Sequence, residues 1–240
     1  MRGRGTEVQI TPLASGSSGN CYRVDCAGRT LLLEAGIRYP EIQKGLDFQI
    51  SKLDGCLISH EHGDHAKAVK QLMKAGVDCF MSLGTAQSLG IEDHHRVVIG
   101  PPEAICHGPG GWRIKPFETQ HDAAQPFGFL LANGSNILLY ATDTFYLKHR
   151  FKGLTHIMLE INYADDILAE NVRAGAVDRS LRKRIRGSHM SLETAKEFFK
   201  ANDLSQVKEI WLLHLSDSNS DAERFKREIQ ETTGKIVRIA

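Results

Sequence analysis

The chain has 240 residues, a net charge of +1 and an apolar fraction of 41%. This length suits one α/β domain or two small ones, and the apolar fraction suffices for a sizeable core. The near-neutral charge excludes a global basic field, so any nucleic-acid site is expected to be local. No run approaches the ~20 apolar residues of a membrane-spanning helix, and residues 1–6 lead into no apolar signal segment.

The cysteines are odd in number and scattered, and no two of them form a C-x-x-C pair. This usage predicts reduced thiols in a cytoplasmic protein. They are Cys21, Cys26, Cys56, Cys79 and Cys106.

The first elements read as strands. Residues 7–13 alternate between polar and apolar, and a hairpin over 21–25 and 30–33 turns at Ala27-Gly28. The Gly/Ser-rich loop 14–20 either joins strands of a hairpin, which the composition favours, or cradles phosphate through backbone N–H groups.

The segment 59–65 (S-H-E-H-G-D-H) concentrates ligand-type side chains. It follows the apolar run 55–58, a predicted buried strand, and precedes a predicted helix over 66–74. Neutral imidazole and carboxylate suit Zn, Mn or Fe. Because alternate residues point to opposite sides, we expect His60 and His62 to serve one ion and Asp64 and His65 a second. Two ions ~3.5–4 Å apart form a hydrolytic clamp.

The rest of the chain continues to mix strands with helices, without internal repeats or low-complexity linkers. The adjacent His94 and His95 are expected to be exposed loop residues, because no spaced carboxylate accompanies them. Strands are predicted over 78–81, 112–117, 129–132, 137–140, 156–162, 209–213 and 235–239, and helices over 37–46, 84–89, 165–171, 191–199 and 221–233.

Further candidate residues lie in or directly after predicted strands: His121, Asp143, Glu160 and His214. A lone histidine after a strand, such as His121, means little by itself, and Asp143 has the structural alternative of only capping a turn.

The run 179–186 is the only dense basic stretch, and it leads into His189. A charge run is usually a solvated helix face. Its position next to His189 also predicts a local phosphate-binding surface, with Ser191 as the N-cap of the next helix. The predicted phosphate contacts are Arg182, Lys183, Arg184, Arg186 and Ser191.

The pattern H-x-H-x-D-H after a strand resembles the metallo-β-lactamase superfamily. The form H-D-A-x-x-P-x-G-F from His121 is similar to the YycJ/WalJ-type exonucleases, and H-x-S-x-x-x-A from His189 resembles the ribonuclease Z and exonuclease branches. The resemblance covers residues 7–239. It implies an α/β fold, the αββα sandwich of two mixed β-sheets flanked by helices, as a single domain over 1–240.

The resemblance also implies roles for individual residues. Glu34 stands where the superfamily usually has Asp, so we expect it to support the metal ligands without binding an ion. His189 would donate a proton, oriented by Glu160, with a helix-capping histidine as the alternative; Asp64 would also orient the attacking water. The implied ligands are His60, His62 and His121 for one ion, Asp64, His65 and His214 for the other, and Asp143 shared by both.

Together with the Glu160–His189 pair and the basic run, the resemblance implies a metal-dependent hydrolase of phosphodiesters, in the first place a DNA exonuclease. It would hold two divalent ions, Zn or Mn, with Fe also compatible, and the cysteine usage predicts that it is cytoplasmic. The alternatives are a hydrolase of a small cyclic phosphodiester, thioester or lactone, and a non-catalytic metal-binding protein. The sequence leaves open the native metal, DNA against RNA, exo- against endonuclease action, and whether the chain forms a homodimer.

Overall fold

The computed structural model describes residues 7–108 and 111–240; residues 1–6, which are not expected to lead into a signal segment, lie outside that range. The described strands form two mixed sheets, of six and seven strands. The chain divides into two compact units: unit 1 comprises Met1–Glu118 and Ala123–Asn136, and unit 2 comprises Thr119–Asp122 and Ile137–Ala240. The expectation of a single domain stays a prediction.

In unit 1 the strands β1 to β3 are antiparallel, and β3 to β6 are parallel. The fully buried β4 lies between β3 and β5, as expected for a parallel strand covered on both faces. The elements are β1 (Gln9–Ala14), β2 (Cys21–Cys26), β3 (Arg29–Leu33), α1 (Tyr39–Gly45), a 3-10 turn (Ile50–Lys52), β4 (Gly55–Leu57), α2 (Gly63–Ala66), α3 (Val69–Lys74), β5 (Cys79–Met81), α4 (Leu83–Leu89), β6 (Val97–Ile99), β7 (Cys106–His107), β8 (Arg113–Glu118) and β9 (Phe127–Asn133).

In unit 2 four strands are parallel, so their carboxyl ends lie at one edge of the sheet. Asp143, Glu160 and His214 lie at or just past the ends of the first three of these strands. The elements are β10 (Asn136–Ala141), β11 (His156–Glu160), α5 (Asp165–Arg173), α6 (Arg179–Ser188), α7 (Leu192–Ala201), β12 (Glu209–Leu213), α8 (Ala222–Thr233) and β13 (Ile236–Ile239).

The predicted hairpins are confirmed. The first turns at Ala27 and Gly28, both with positive φ (52° and 73°), as a tight turn between twisted strands requires. Ser191 is the N-cap of α7, where its hydroxyl accepts a hydrogen bond from the Thr194 amide, as predicted.

The helix predicted over 66–74 is interrupted, which was not foreseen. The chain forms α2 and α3 with a break at Ala68, whose N–H donates to the carbonyl of Ala35. Ala35 in turn donates to the carbonyl of His65. The backbone hydrogen bonds that Ala35 makes with His65 and Ala68 therefore outweigh the helical periodicity of residues 66–74, and the helix breaks. The short strands β6 and β7 were also missed. No helix among the described residues is long and apolar enough to span a membrane.

Candidate metal centre

The segment 59–65 leaves the end of β4 and enters α2, with His62 as the helix N-cap. His60 Nε2 lies 3.0 Å from His62 Nδ1, and Asp64 Oδ2 lies 3.6 Å from His65 Nε2. Two ligand atoms of one tetrahedral zinc ion are about 3.3 Å apart, because each lies about 2.0 Å from the metal. Within unit 1 the structure thus forms two pairs, His60 with His62 and Asp64 with His65. The spacing within each pair is compatible with both of its members binding one ion.

Buried polar side chains hydrogen-bond to the start of the segment 59–65. Ser59 Oγ lies 2.9 Å from His60 Nδ1, which leaves the other ring nitrogen, Nε2, facing His62. Glu34 is fully buried; its two carboxylate oxygens accept from the Ser59 amide at 3.3 and 3.2 Å, and Oε2 lies 3.6 Å from His65 Nδ1. The extra methylene of Glu therefore still allows the carboxylate to support the ligand segment.

Asn20 is a site residue that the sequence analysis missed. The backbone N–H of Asn20 donates to the backbone carbonyl of Asp64 (2.7 Å), and the side-chain Nδ2 lies 3.2 Å from His65 Nε2. The N–H groups of Gly16 and Gly19 are bonded to Asn20 Oδ1 and the Gly16 carbonyl. The loop 14–20 thus uses these groups internally, as the hairpin reading expects.

In unit 2, Asp143 presents one carboxylate oxygen to each of two histidines. Oδ2 lies 3.4 Å from His121 Nε2, and Oδ1 lies 2.7 Å from His214 Nδ1. Asp143 and His214 both have positive φ (45° and 52°) at strand ends. Non-glycine residues adopt such conformations at a cost of about 1–3 kcal/mol, and they cluster at functional sites.

His121 is oriented by the end of α6. Its Nδ1 donates to the carbonyl of Ser188 (3.0 Å), so the imidazole keeps its Nε2 lone pair toward Asp143. Burial lowers the pKa of His121, which favours the neutral form that binds metals.

Glu160 is fully buried and contacts both His189 and His214. Its Oε1 lies 2.6 Å from His189 Nδ1 and 3.0 Å from His214 Nδ1, and its Oε2 accepts from the Thr144 amide at 2.9 Å. Burial opposes both charges, but the attraction between them prevails: the pKa of Glu160 is lowered and that of His189 is raised. The pKa of His214 is raised by Asp143 and Glu160 against the effect of burial.

Ligand-type atoms of Asp143, Glu160, His189 and His214 all lie within 4.8 Å of one another. Because both oxygens of Glu160 already accept hydrogen bonds, Glu160 positions histidines and is poorly placed to bind an ion. Asp143 has one oxygen toward each histidine and is better suited to that role.

The basic run forms the exposed helix α6. Arg182 is half-buried, while Lys183 and Arg184 are exposed. Arg186 forms an ion pair with Asp165, and the Ser191 hydroxyl is engaged as the α7 cap. His94 and His95 stack on each other, and neither belongs to a group of three or more ligand-type side chains among the described residues. His95 is exposed as expected, whereas His94 is half-buried and its Nδ1 accepts from the backbone amide of Arg96.

Comparisons with known proteins agree with these features. The family model described as beta-lactamase superfamily domain matches residues 30–215. The chain is 32% identical over 229 residues to the exodeoxyribonuclease WalJ of Streptococcus pneumoniae serotype 2 (strain D39 / NCTC 7466), covering 87% of this chain and 81% of that protein. It is 26% identical over 235 residues to the exodeoxyribonuclease YycJ of Bacillus anthracis, covering 93% and 88%.

A solved structure, that of the metallo-β-lactamase fold protein YhfI from Bacillus subtilis, superposes with a TM-score of 0.74 at 16% identity over 97% of this chain and 95% of that one. At this identity the likeness concerns the fold alone.

Proposed function

Because this chain belongs to the metallo-β-lactamase superfamily and is a metal-dependent hydrolase, we propose that it cleaves phosphodiester bonds as a cytoplasmic DNA exonuclease. Its two mixed sheets flanked by helices match the αββα sandwich of that superfamily. The observation that carries the proposal is the hydrogen-bonded pair of the buried Glu160 and the half-buried His189, beside Asp143 and His214. The names of the relatives WalJ and YycJ support the choice of DNA.

The proposed ligands follow the sequence assignment: His60, His62 and His121 for one ion, Asp64, His65 and His214 for the other, and Asp143 for both. The donor set fits divalent metals, since it combines neutral imidazoles with carboxylates at spacings near the ~3.3 Å expected of shared ligands. When bound, two such ions supply a nucleophilic water at neutral pH and stabilise developing negative charge. Zn or Mn is proposed as the native metal, with Fe compatible.

The proton transfer is assigned to His189. With Nδ1 donating to Glu160 Oε1, the imidazole is fixed in orientation and its Nε2 is left to protonate the leaving alkoxide oxygen. Although burial opposes the charge, Glu160 raises the pKa of His189, which favours the protonated form that a proton donor needs. Asp64 is proposed to orient the attacking water as well as to bind metal. The alternative role for His189 was to cap the following helix, α7. The N-cap of α7 is Ser191, and the His189 side chain faces Glu160, which supports the assignment as proton donor.

Phosphate contact by α6 remains part of the proposal. Lys183 and Arg184 are exposed, and Arg182 is half-buried, so all three can approach a strand. Arg186 and Ser191 would first have to exchange their present partners, Asp165 and the Thr194 amide.

The experiment incubates metal-replete protein with end-labelled single- and double-stranded DNA, the matching RNA, and a thioester as a control substrate. Release of nucleotides from DNA ends supports the proposal, while cleavage of RNA or internal cleavage would revise its finer part. Cleavage of the thioester without any phosphodiester turnover would establish the small-molecule alternative. Absence of all activity in protein that holds its metals would establish a non-catalytic metal-binding protein. Cell fractionation tests the cytoplasmic location, and the homodimer left open by the sequence is tested by mass in solution.

A further inference from the structure

Directly after Asp143, the chain exposes aromatic and basic side chains in alternation with buried ones. Phe145 and Tyr146 are 38% and 51% exposed. Three exposed cations follow within six residues of Tyr146: Lys148, Arg150 and Lys152. We call residues 144–152 the aromatic–basic segment; it lies entirely in unit 2. None of the three cations forms an ion pair with the described residues.

Hydrogen bonds of Thr144 and Phe145 fix the start of the aromatic–basic segment. Thr144 is fully buried: its amide donates to Glu160 Oε2, and its hydroxyl donates to the Tyr146 carbonyl (2.8 Å) and accepts from the Gln120 amide (3.0 Å). The amide of Phe145 donates to the Gln120 carbonyl (3.2 Å). Because Gln120 precedes His121, the exposed rings begin next to two proposed metal ligands.

The end of the segment is anchored to α7. The amide of Phe151 donates to Asn202 Oδ1 (2.8 Å), and the ring of Phe151 lies 6.2 Å from that of Phe198. The exposed residues between these anchors are therefore pre-organised, which reduces the entropy lost when a ligand binds.

A cavity of about 230 Å³ separates the segment from α7. It is smaller than the ~300 Å³ at which small-molecule pockets begin, so it suits one flat group better than a whole ligand. Tyr146, Lys148 and Arg150 line one side, and Glu197 lines the other. A carboxylate repels phosphate but can accept hydrogen bonds from the exocyclic amines of a base, whereas the cations attract phosphate.

We propose that the aromatic–basic segment is a stacking platform for single-stranded DNA, in which bases stack on Phe145 and Tyr146 while Lys148 and Arg150 contact the phosphates. Proteins that hold single strands without sequence preference combine these two features. The proposal rests on the proposed function, which it deepens by assigning the substrate a single-stranded end. It also explains how a chain of net charge +1 binds a polyanion locally.

The test compares two oligonucleotides of about 12 nucleotides, a length within the usual site sizes. One is oligodeoxyadenylate, whose bases carry an exocyclic amine; the other has the same phosphates but abasic sugars. Binding is measured by fluorescence anisotropy with metal-replete protein, and both strands carry phosphorothioate linkages so that cleavage does not interfere. The wild type is expected to prefer the strand with bases. For F145A/Y146A, the affinity for the strand with bases should fall by about fivefold or more for each stacked base that is lost. Its affinity for the abasic strand should equal that of the wild type.

A second pair of variants separates charge from stacking. K148Q/R150Q should weaken binding of both strands and reduce the salt dependence of the affinity. F145L/Y146L keeps apolar bulk but removes the π-faces, so it should behave as F145A/Y146A even where the alanine variant folds poorly. Phe48→Ala, which removes a 74% exposed ring of unit 1, and Arg227→Gln, which removes an exposed cation of α8, are the matched controls and should bind as the wild type does.

Equal binding of the two strands by the wild type, or unchanged binding by both aromatic variants, would overturn the platform. So would self-association of the wild type that F145L/Y146L abolishes, since the rings would then pack against a second copy. Turnover of a small phosphodiester by the wild type tests the proposed function separately. If the wild type binds the strand with bases preferentially but cleaves no phosphodiester, the proposed nuclease activity is rejected while the stacking platform is retained.

Discussion

At the scale of single residues, the proposed chemistry depends most on the Glu160–His189 pair. A general acid contributes about 10²- to 10⁴-fold, and it matters most when the leaving group is a poor one. For His189→Ala we therefore expect a loss of this size with DNA, whose leaving group is an alkoxide, and a much smaller loss with bis-p-nitrophenyl phosphate, whose nitrophenolate needs no proton. Initial rates on both substrates, with metal content by elemental analysis, check this.

The matched control for that variant is His95→Ala, which removes an exposed imidazole in unit 1. It should leave both rates unchanged. Equal losses on the two substrates in His189→Ala with metal retained would reject the general-acid role, because they would point to a general disturbance of the site.

Glu34 offers a second test at this scale. Glu34→Gln keeps the size of the side chain but removes the charge that faces His65 Nδ1 and one of the two acceptors for the Ser59 amide. Loss of such a supporting group typically lowers metal affinity by about 10- to 100-fold. Competition with a chromogenic zinc chelator measures it, with the exposed Glu41→Gln as control. An affinity equal to that of the wild type would show that Glu34 has only a packing role.

The candidate histidines and carboxylates could be predicted from the sequence because ligand-type residues at this spacing after strands indicate a metal site. It missed Asn20 and Thr144, whose importance comes from bonds to segments far along the chain. Asn20 donates to Asp64, 44 residues away, and Thr144 donates to Glu160. Periodicity cannot encode such contacts, which appear only when the elements have packed.

At the scale of elements, the ligand segment is held by a close backbone approach at Gly36. A Cβ added there would lie 1.6 Å from the Asp64 carbonyl oxygen and 2.8 Å from the Asn20 amide nitrogen. Backbone cannot yield as a flexible side chain does, so Gly36→Ala should lower the free energy of unfolding by about 3 kcal/mol or more. Urea unfolding measures the change.

The control is Gly63→Ala, in the same ligand segment, where an added Cβ meets nothing within 4 Å. It should be neutral or slightly stabilising, because Gly63 lies in α2 and alanine favours helix. Coincident unfolding midpoints for the two variants would contradict the close approach.

Helices α7 and α8 share a charge network with a predictable pH dependence. Glu228 accepts from Lys196 (2.6 Å) and Arg224 (2.7 Å), and both hydrogen bonds lower its pKa from the usual 4.5. A lowered folded-state pKa stabilises the protein above the unfolded value and ceases to do so as the pH falls through the folded value. Glu228→Gln should therefore destabilise the protein at pH 7, and the difference should shrink as the pH falls below 4.5.

Urea unfolding of Glu228→Gln and the wild type at neutral and acidic pH checks this, with the exposed Glu231→Gln as control. A difference that does not depend on pH would show that packing, and not charge, links Glu228 to its partners.

Most strands and helices were predicted within a few residues, because alternation, capping residues and turn glycines act locally. The break between α2 and α3 was not, since it results from the hydrogen bond between Ala68 and Ala35, a contact that the local pattern does not contain. The short strands β6 and β7 lack the length that makes a periodic pattern visible.

At the scale of the whole molecule, the account predicts that metal binding and folding are linked. Ions that bind only the folded chain stabilise it by mass action, by about 2.7 kcal/mol at a hundredfold excess over Kd. Removal of metal with a chelator should therefore lower Tm, and restoring Zn or Mn should return it. Differential scanning calorimetry with and without the ions measures the shift, and Asp143→Ala should show a smaller one. A Tm that is independent of the ions would contradict the proposed centre.

The fold and reaction class were accessible from the sequence because the ligand motif resembles a known superfamily, whereas periodicity alone supports only an α/β class. The aromatic–basic segment carried no such pattern. Its meaning depends on which of its residues are exposed, and that became apparent only from the structure, where Leu147 and Phe151 are buried and Tyr146 is not.

The central claim is tested most directly by hydrolysis of bis-p-nitrophenyl phosphate with metal-defined protein, comparing the wild type, Asp143→Ala and the exposed control Asp217→Ala. We predict about two ions per wild-type chain, turnover that requires them, and loss of both turnover and one or more ions in Asp143→Ala alone. Metal-replete wild-type protein that leaves the phosphodiester intact, or an Asp143→Ala variant that cleaves it at the wild-type rate, would contradict the account.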